Sequence, residues 1–291
     1  VTVARGRGTR VPAAVRASSA ESFALPITIA SWNINSVRLR MPIVKRFAEA
    51  ARPDVLCLQE TKVRDEDFPF SDLRDLGYNH IEISGQKGYH GVAILSRFPL
   101  SDVVRGPFCR EGHARHIAAR VGAGAGVTVH NFYVPAGGDE PDPAINPKFD
   151  HKLHFLGRMS DGPKERHLLP ERAVVVGDLN IAPLETDVWS HKALLKVVSH
   201  TPVEVEAFGR VQAAGGWVDA LRERIPPAEK LYTWWSYRSP DWAAADKGRR
   251  LDHVWLSPDL RQDLGAVTVF KEARGWDKPS DHVPVMAELR I

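Results

Sequence analysis

Apolar runs along this chain repeatedly stop at a polar residue capable of chemistry. Pro26 opens ITIASWNIN, which reads as a strand ending in Asn33 and Asn35. RLRMPIVKRFAEAA follows with helical spacing, predicting Ile43, Phe47 and Ala50 on one face, and Pro53 stops it. DVLCLQE is a near-continuous apolar strand closed by Glu60, and GVAILSR is another such run. VTVHNFYV alternates apolar and polar positions, which predicts a half-buried strand running into Tyr133. AVVVGDLN is wholly apolar up to Asp178 and Asn180, the pattern of a central strand covered on both faces.

Between these runs, AGGDEPDPAINP and DGPKERHLLPE are too rich in turn formers and charge to be elements. Phe149, Leu153 and Leu156 sit at helical spacing between them. Thr201-Pro202-Val203-Glu204 matches a capping box with Pro at the first helical position, continued by Val205, Phe208 and Val211. The last third returns to strands in YTWWSYR, RLDHVWLS, AVTVF and VPVMAELRI. Helices interspersed irregularly among many strands predict one α/β domain over 26–291, with more than one sheet.

Charge changes this picture little. The chain carries a formal +3. Arg5, Arg7, Arg10 and Arg16 supply it from a stretch without acids, and the remainder has 35 basic against 36 acidic residues. Basicity is therefore no warrant for nucleic-acid binding, and residues 1–25 read as a basic, disordered tail rather than a targeting segment. No apolar run reaches the ~20 residues of a membrane span. Two cysteines give no disulfide framework; Cys57 reads as a buried small hydrophobe, which fits a reducing, cytoplasmic setting.

The candidate chemistry lies at the strand ends. Asp178 and Asn180 are two residues apart after a strand, so extended backbone points both the same way: a carboxylate to take a proton beside an amide to orient an oxygen. A turn satisfying its own backbone is the plainer reading of GDLN. Glu60 offers the carboxylate oxygen that Mg²⁺ prefers, or else a surface pair with Lys62. Asp252 could orient His282, which follows Asp281, and fix its tautomer. His253 should face away from Asp252, and His151 and His154 read as solvent-facing. Trp234 and Trp235 could wall a sugar pocket or lie in the core.

Taken together, WNINSVRLR, DVLCLQETKV, GQKGYHGVAILSR, YVP, GDLNIAP, YTWWSYR, RLDHVWLS and KPSDHVPV occur in the order seen in the exonuclease III family of abasic-site endonucleases, which this chain resembles over about residues 27–291. That family belongs to the endonuclease/exonuclease/phosphatase superfamily. The resemblance implies a DNase I-like four-layer α/β sandwich, two mixed β-sheets packed face to face with helices outside. It also implies a Mg²⁺- or Mn²⁺-dependent monomer that cuts double-stranded DNA at abasic sites and at 3′ ends, 3′-blocked ones included. The implied metal set is Asn33, Glu60, Asp178, Asn180, Asp281 and His282. Tyr133, Asp178, Asn180, Asp252 and His282 would be catalytic, with Asn35, Trp234 and Trp235 toward the substrate. A superfamily phosphatase or phospholipase acting on small or lipid substrates is the alternative within the fold, and a non-catalytic DNA-binding relative the alternative outside catalysis.

Three departures stand out against that resemblance. Ala136 follows YVP where the family commonly carries Asn or Gln. VVSH precedes Thr201-Pro202 where abasic endonucleases often place Asn and Gly. Arg249 replaces a frequent Trp before the RLD motif. All three bear on substrate preference rather than on hydrolysis.

Overall fold

The computed structural model describes residues 26–122, 126–162 and 172–291, so the basic segment expected at residues 1–25 lies outside the described residues. One sheet gathers β1 (Pro26–Asn33), β2 (Val55–Gln59), β3 (His80–Ser84), β4 (Val92–Ser96) and, from the end of the chain, β13 (Leu264–Val269) and β14 (Val285–Arg290). Their order is β13-β14-β1-β2-β4-β3. The other sheet gathers β5 (Leu100–Val104), β6 (His116–Val121), β7 (Val127–Tyr133), β8 (Ala173–Asp178), β9 (Val218–Asp219) and β12 (Asp252–Leu256), ordered β5-β6-β7-β8-β12-β9. A short ribbon pairs β10 (Trp234–Trp235) with β11 (Gly248–Arg249). Both large sheets are mixed: β1–β2 and β7–β8 run parallel, and their other strand pairs run antiparallel.

The uniformly apolar runs follow from being covered twice. On β8, Val174 and Val176 enter the core between the sheets with Ile29, Val55, Cys57, Ile94 and Val254, while Ala173 and Val175 face the opposite side. On β2, Leu56 and Leu58 turn outward against α1 (Met41–Ala51), which buries Ile43, Val44, Phe47 and Ala48. Ile43 and Phe47 are buried as the spacing predicts, whereas Ala50 is exposed and Ala48 is buried in its stead. The outer side of the second sheet is covered by α3 (Pro147–Asp161) and α5 (Pro202–Gly215) through Phe155, Leu156, Met159, Phe208 and Val211. Short helices α2 (Phe70–Arg74), α4 (His191–Leu194), α6 (Ala220–Arg224) and α7 (Trp242–Ala245) lie in the connections. This is the DNase I-like four-layer sandwich that the resemblance implied. Among the described residues no helix is long and apolar enough to cross a membrane.

β7 departs from its predicted half-buried character, because nearly all of it is buried. Its polar residues are satisfied internally rather than by water. Asn131 Nδ2 donates to the carbonyls of Leu58 (3.0 Å) and Ala93 (2.8 Å) in the opposite sheet, and its Oδ1 accepts from Gln59 Nε2 at 2.7 Å. Asn131 thus crosses the apolar core with its hydrogen bonds made, while Gln59 Oε1 is left without a partner.

The predicted capping box is present at α5, where Glu204 Oε2 accepts from the Thr201 amide (3.2 Å) and hydroxyl (2.6 Å). Glu204 is also the ion-pair partner of Lys152 on α3, and both side chains are fully buried. The Lys152 ammonium donates further to the carbonyls of Ala136 (3.2 Å) and Asn180 (2.8 Å), tying α3 to the loops after β7 and β8. Lys152→Met should leave a buried carboxylate without its cation and cost about 3–5 kcal/mol. In a domain of this size that lowers the thermal midpoint by roughly 10 °C, read by calorimetry. A midpoint within a degree or two of the parent would show that the pair contributes nothing.

Candidate active site

Parallel pairing brings the polar ends of the strands to one rim. Asn33 lies opposite Gln59, Tyr133 opposite Asp178, and antiparallel β12 begins with Asp252 opposite the same Asp178. Ligand-facing groups at the carboxyl ends of such strands are how α/β sheets build sites. The turns leaving the rim are unusual: Asn35, Glu60 and Asn180 all adopt positive φ (48°, 51° and 55°). Left-handed backbone at non-glycine residues costs energy and concentrates where side chains must be aimed. Gly177 (φ 143°) precedes Asp178 where a Cβ would lie 1.9 Å from the Phe132 carbonyl oxygen, so only glycine fits.

One hydrogen-bonded network then joins most of the expected residues. Asn33 Nδ2 donates to Glu60 Oε1 and to Asp178 Oδ2, each at 2.9 Å. The Tyr133 hydroxyl donates to Glu60 Oε1 (2.8 Å), and Lys62 Nζ lies 2.8 Å from Glu60 Oε2. Asn180 donates through its amide N to Asp178 Oδ1 (3.0 Å) and through Nδ2 to Asp178 Oδ2 (3.1 Å). His282 Nε2 stands 3.6 Å from Asp178 Oδ2, while its Nδ1 meets Asp252 Oδ2 at 2.9 Å. Thr233 fixes Asp252 in turn: its hydroxyl donates to Asp252 Oδ2 (2.6 Å) and accepts from the Leu251 and Asp252 amides. Asn35 and Asp281 sit at the edge, with Asn35 Nδ2 donating to Asp281 Oδ1 (3.1 Å) and Trp234 Nε1 to Asp281 Oδ2 (3.0 Å).

Burial sets the electrostatics. Asp178 is fully enclosed, and desolvation, with the charges of Asp252 and Glu60, pushes its carboxyl up to about 7 against the pull of His282. His282 goes the other way. Burial disfavours its charge, but Asp252 and then Asp178 outweigh it and raise the imidazolium to about 10. Burial would also raise Glu60, yet Lys62 and the bonds from Asn33 and Tyr133 hold it below the usual carboxylate range. Tyr133 stays a neutral phenol, raised by burial and by Glu60 and Asp178.

The donor set suits a hard divalent cation. Its members are carboxylates with one imidazole and no thiol, to which Asn33 and Asn180 present amide N–H groups. A cation offsets the burial and carboxylate repulsion that raise Asp178. Asp178, Asp252 and His282 alone bring ligand atoms within 4.8 Å of one another. Because His282 Nδ1 is already engaged by Asp252, the face toward Glu60, Asn33 and Asp178 is the better seat for an ion.

A cleft of about 780 Å³ opens over this network, walled by Trp189, Trp234, Arg238, Lys247 and Arg249. Trp235 does not reach it. Adjacent residues of an extended segment point oppositely, so Trp235 is 1% exposed in the core and only Trp234 faces the cleft. His253, as expected, turns from Asp252 and meets the Ile181 carbonyl at 2.8 Å. Sequence reasoning missed Thr233 and Trp189, neither of which stands out in its local pattern. The three departures from the family, expected to bear on substrate preference, all reach the cleft through Ala136, Ser199 and Arg249. Arg249 Nη1 donates to the Val198 carbonyl (3.0 Å) and Ser199 hydroxyl (2.8 Å), and its guanidinium lies 5.3 Å from the Trp234 ring centroid.

Residues 30–282 match the model of the endonuclease/exonuclease/phosphatase family. Exodeoxyribonuclease III of Haemophilus influenzae is 33% identical over 269 residues, covering 89% of this chain and 98% of that protein. Among solved structures, an AP endonuclease from Archaeoglobus fulgidus superposes with a TM-score of 0.83 at 34% identity, covering 91% of this chain and all of that one. A 3′ phosphatase from Neisseria bound to product DNA hairpin gives 0.82 at 33% identity, covering 90% and 99%. The strand-end network and these relatives together place the chain in the endonuclease/exonuclease/phosphatase family, among its exonuclease III-type nucleases.

Proposed function

We propose that this protein is a DNA repair nuclease that hydrolyses phosphodiester bonds in duplex DNA, incising at abasic sites and processing 3′ ends, with Mg²⁺ or Mn²⁺ as its cation. The observation that carries the reading is the single network from Glu60 through Asn33 and Asp178 to the His282–Asp252 pair beneath a cleft with cationic walls. Relatives named exodeoxyribonuclease III and AP endonuclease, and the neighbour bound to product DNA hairpin, support DNA as the substrate.

In this reading Asp178 takes the proton from the attacking water, and Asn180 orients that water. The His282 imidazolium binds a phosphate oxygen, and Tyr133, whose hydroxyl donates to Glu60 Oε1 here, contacts the same group. Asn33 holds both carboxylates in place. A hard cation seated by Glu60, with Asp178 and Asp281 as further oxygen donors, would neutralise charge building on the phosphate. Arg238, Lys247 and Arg249 meet the backbone phosphates, and Trp234 walls a pocket for a sugar without its base, whose extrusion costs less unstacking than that of an intact nucleotide. Residues 26–291 act as one unit and as a cytoplasmic monomer.

Two experiments bear on this. Chelation with EDTA should abolish cleavage of a labelled duplex, and Mg²⁺ or Mn²⁺ should restore it; full activity after exhaustive chelation would remove the cation. Glu60→Gln should raise the metal requirement more than it weakens DNA binding. A duplex carrying one abasic analogue and a free 3′ end reports both activities together. On it, Ala136→Asn should shift the ratio of incision to 3′ trimming, since Ala136 lines the cleft; an unchanged ratio would take that position out of substrate choice.

A further inference from the structure

Beside the cleft lies a second group of metal-binding side chains that the proposed hydrolysis does not use. The connection between β5 and β6 carries Cys109, Glu111 and His113, and the second turn of α3 supplies His151. His151 is 4% exposed, which corrects the solvent-facing reading of its HxxH spacing; His154 alone faces water. The Glu111 carboxylate faces both rings, with Oε1 3.5 Å from His151 Nδ1 and Oε2 3.6 Å from His113 Nε2. One ligand atom from each of the three residues lies within 4.8 Å of the other two. On the far edge of its ring, His151 Nε2 is 3.2 Å from Cys109 Sγ.

We propose that Glu111, His113 and His151 form a second metal site, separate from the nuclease centre, that takes Zn²⁺ or a similar borderline transition ion. Bond lengths of about 2.0–2.2 Å to nitrogen and carboxylate oxygen put tetrahedral ligand atoms about 3.3–3.6 Å apart. Each ring nitrogen has that spacing from one Glu111 oxygen, His151 from Oε1 and His113 from Oε2, whereas octahedral Mg²⁺ needs neighbouring ligands about 3.0 Å apart. Rotation of the carboxylate is needed to present one oxygen to both rings. His151 can give an ion only one nitrogen. Nδ1 faces Glu111, which leaves Nε2–H to donate to the Cys109 sulfur, the kind of outer contact that fixes a ligating imidazole's tautomer. Cys109 is therefore a positioning residue here, not a ligand.

The site is held ready by its neighbours. His113 stacks on His90 with centroids 4.4 Å apart, and its Nδ1 is buried without a hydrogen-bond partner. Burial and the nearby Arg115 charge keep His113 below the ordinary imidazole range, and burial does the same for His151. Both shifts favour the neutral imidazole, the form that binds metal. The loop also reaches the nuclease centre, because the Arg115 guanidinium lies 4.6 Å from the Tyr133 ring centroid and donates to the Tyr133 carbonyl at 3.2 Å. An ion at this site would pin that loop to α3.

Co²⁺ titrated into the chelator-stripped full chain tests the proposal, because tetrahedral Co²⁺ absorbs visible light far more strongly than octahedral Co²⁺. The parent should develop a strong visible band that Zn²⁺ removes by competition. Asp178→Asn should keep the band. Glu111→Gln and His113→Ala, both at accessible positions, should lose it while retaining Mg²⁺-supported cleavage, which shows that they fold. Cys109→Ala should weaken Zn²⁺ binding about 10-fold. No band in the parent, or a band that survives both Glu111→Gln and His113→Ala, overturns the site.

Discussion

Asp178→Asn is expected to slow cleavage roughly 10³–10⁴-fold at saturating DNA and Mg²⁺, with DNA affinity changed little. The substitution keeps the shape of the side chain but removes the only group in the network placed to accept a proton beside Asn180. It also sets an amide against Asn33 Nδ2 and Asn180 Nδ2, both of which donate to Asp178 Oδ2 in the parent. The pH dependence supplies a second readout. Burial and neighbouring carboxylates push the Asp178 carboxyl up to about 7, so its protonated, inactive form persists to higher pH than in an ordinary aspartate. Activity of the parent should therefore rise with pH through that region. More Mg²⁺ should move the rise to lower pH, since a cation favours the carboxylate. In Asp178→Asn the rise should vanish. A loss of only a few-fold, or an acid limb left intact, would assign the base elsewhere.

Much of this architecture could be read from the chain because burial writes itself into composition. β2, β4 and β8 are covered on both faces, so their runs are apolar throughout and their polar ends stand out. Where burial coexists with polarity the reading failed. β7 looked half-exposed because His130 and Asn131 interrupt it, yet hydrogen bonds across the core satisfy Asn131 as water would. On α1 only the alanine differs, for a related reason: an alanine at helical spacing is as compatible with solvent as with a core, and Ala48 rather than Ala50 is buried beside Ile43 and Phe47. Of the site, the strand-end residues were legible, and the ordered motifs named them together. Thr233 was not, since a threonine in a strand is ordinary until its hydroxyl is seen to hold Asp252. Trp235 was misplaced because a WW pair gives no phase. The pairing of β10 with β11, and its lie beside residues 281–283, decides which ring faces the cleft. His151 failed most instructively: its partners Glu111 and His113 come from a loop 38 residues or more away, a proximity no local spacing can encode.

His282 and Asp252 are expected to behave as one unit. His282→Ala should cost about 10³-fold in kcat/KM, Asp252→Ala about 10²-fold, and the double variant little more than His282→Ala alone. The geometry gives the reason. Asp252 is buried behind the imidazole, 2.9 Å from Nδ1, and touches no part of the cleft, so whatever it does for the reaction it does through His282. It has two effects: it fixes the ring with Nε2 toward Asp178, and it keeps the ring charged. The second effect has a signature that a merely structural role would lack. Burial alone would lower His282, and Asp252 is the first of the charges that lift it to about 10 instead. The imidazolium, and the phosphate binding that depends on it, is present below that value and lost as pH rises through it. The parent should therefore hold its activity well into the alkaline range. In Asp252→Ala the alkaline fall should move to lower pH, because burial then acts without its main counterweight. Asp252→Ala also leaves the Thr233 hydroxyl without its acceptor, so a lower melting temperature accompanies the kinetic loss. The alkaline limb separates the two effects, as reduced stability alone does not move it. If the single losses multiply in the double variant, and the limb stays where it was, Asp252 and His282 act independently and the pair has no mechanistic meaning.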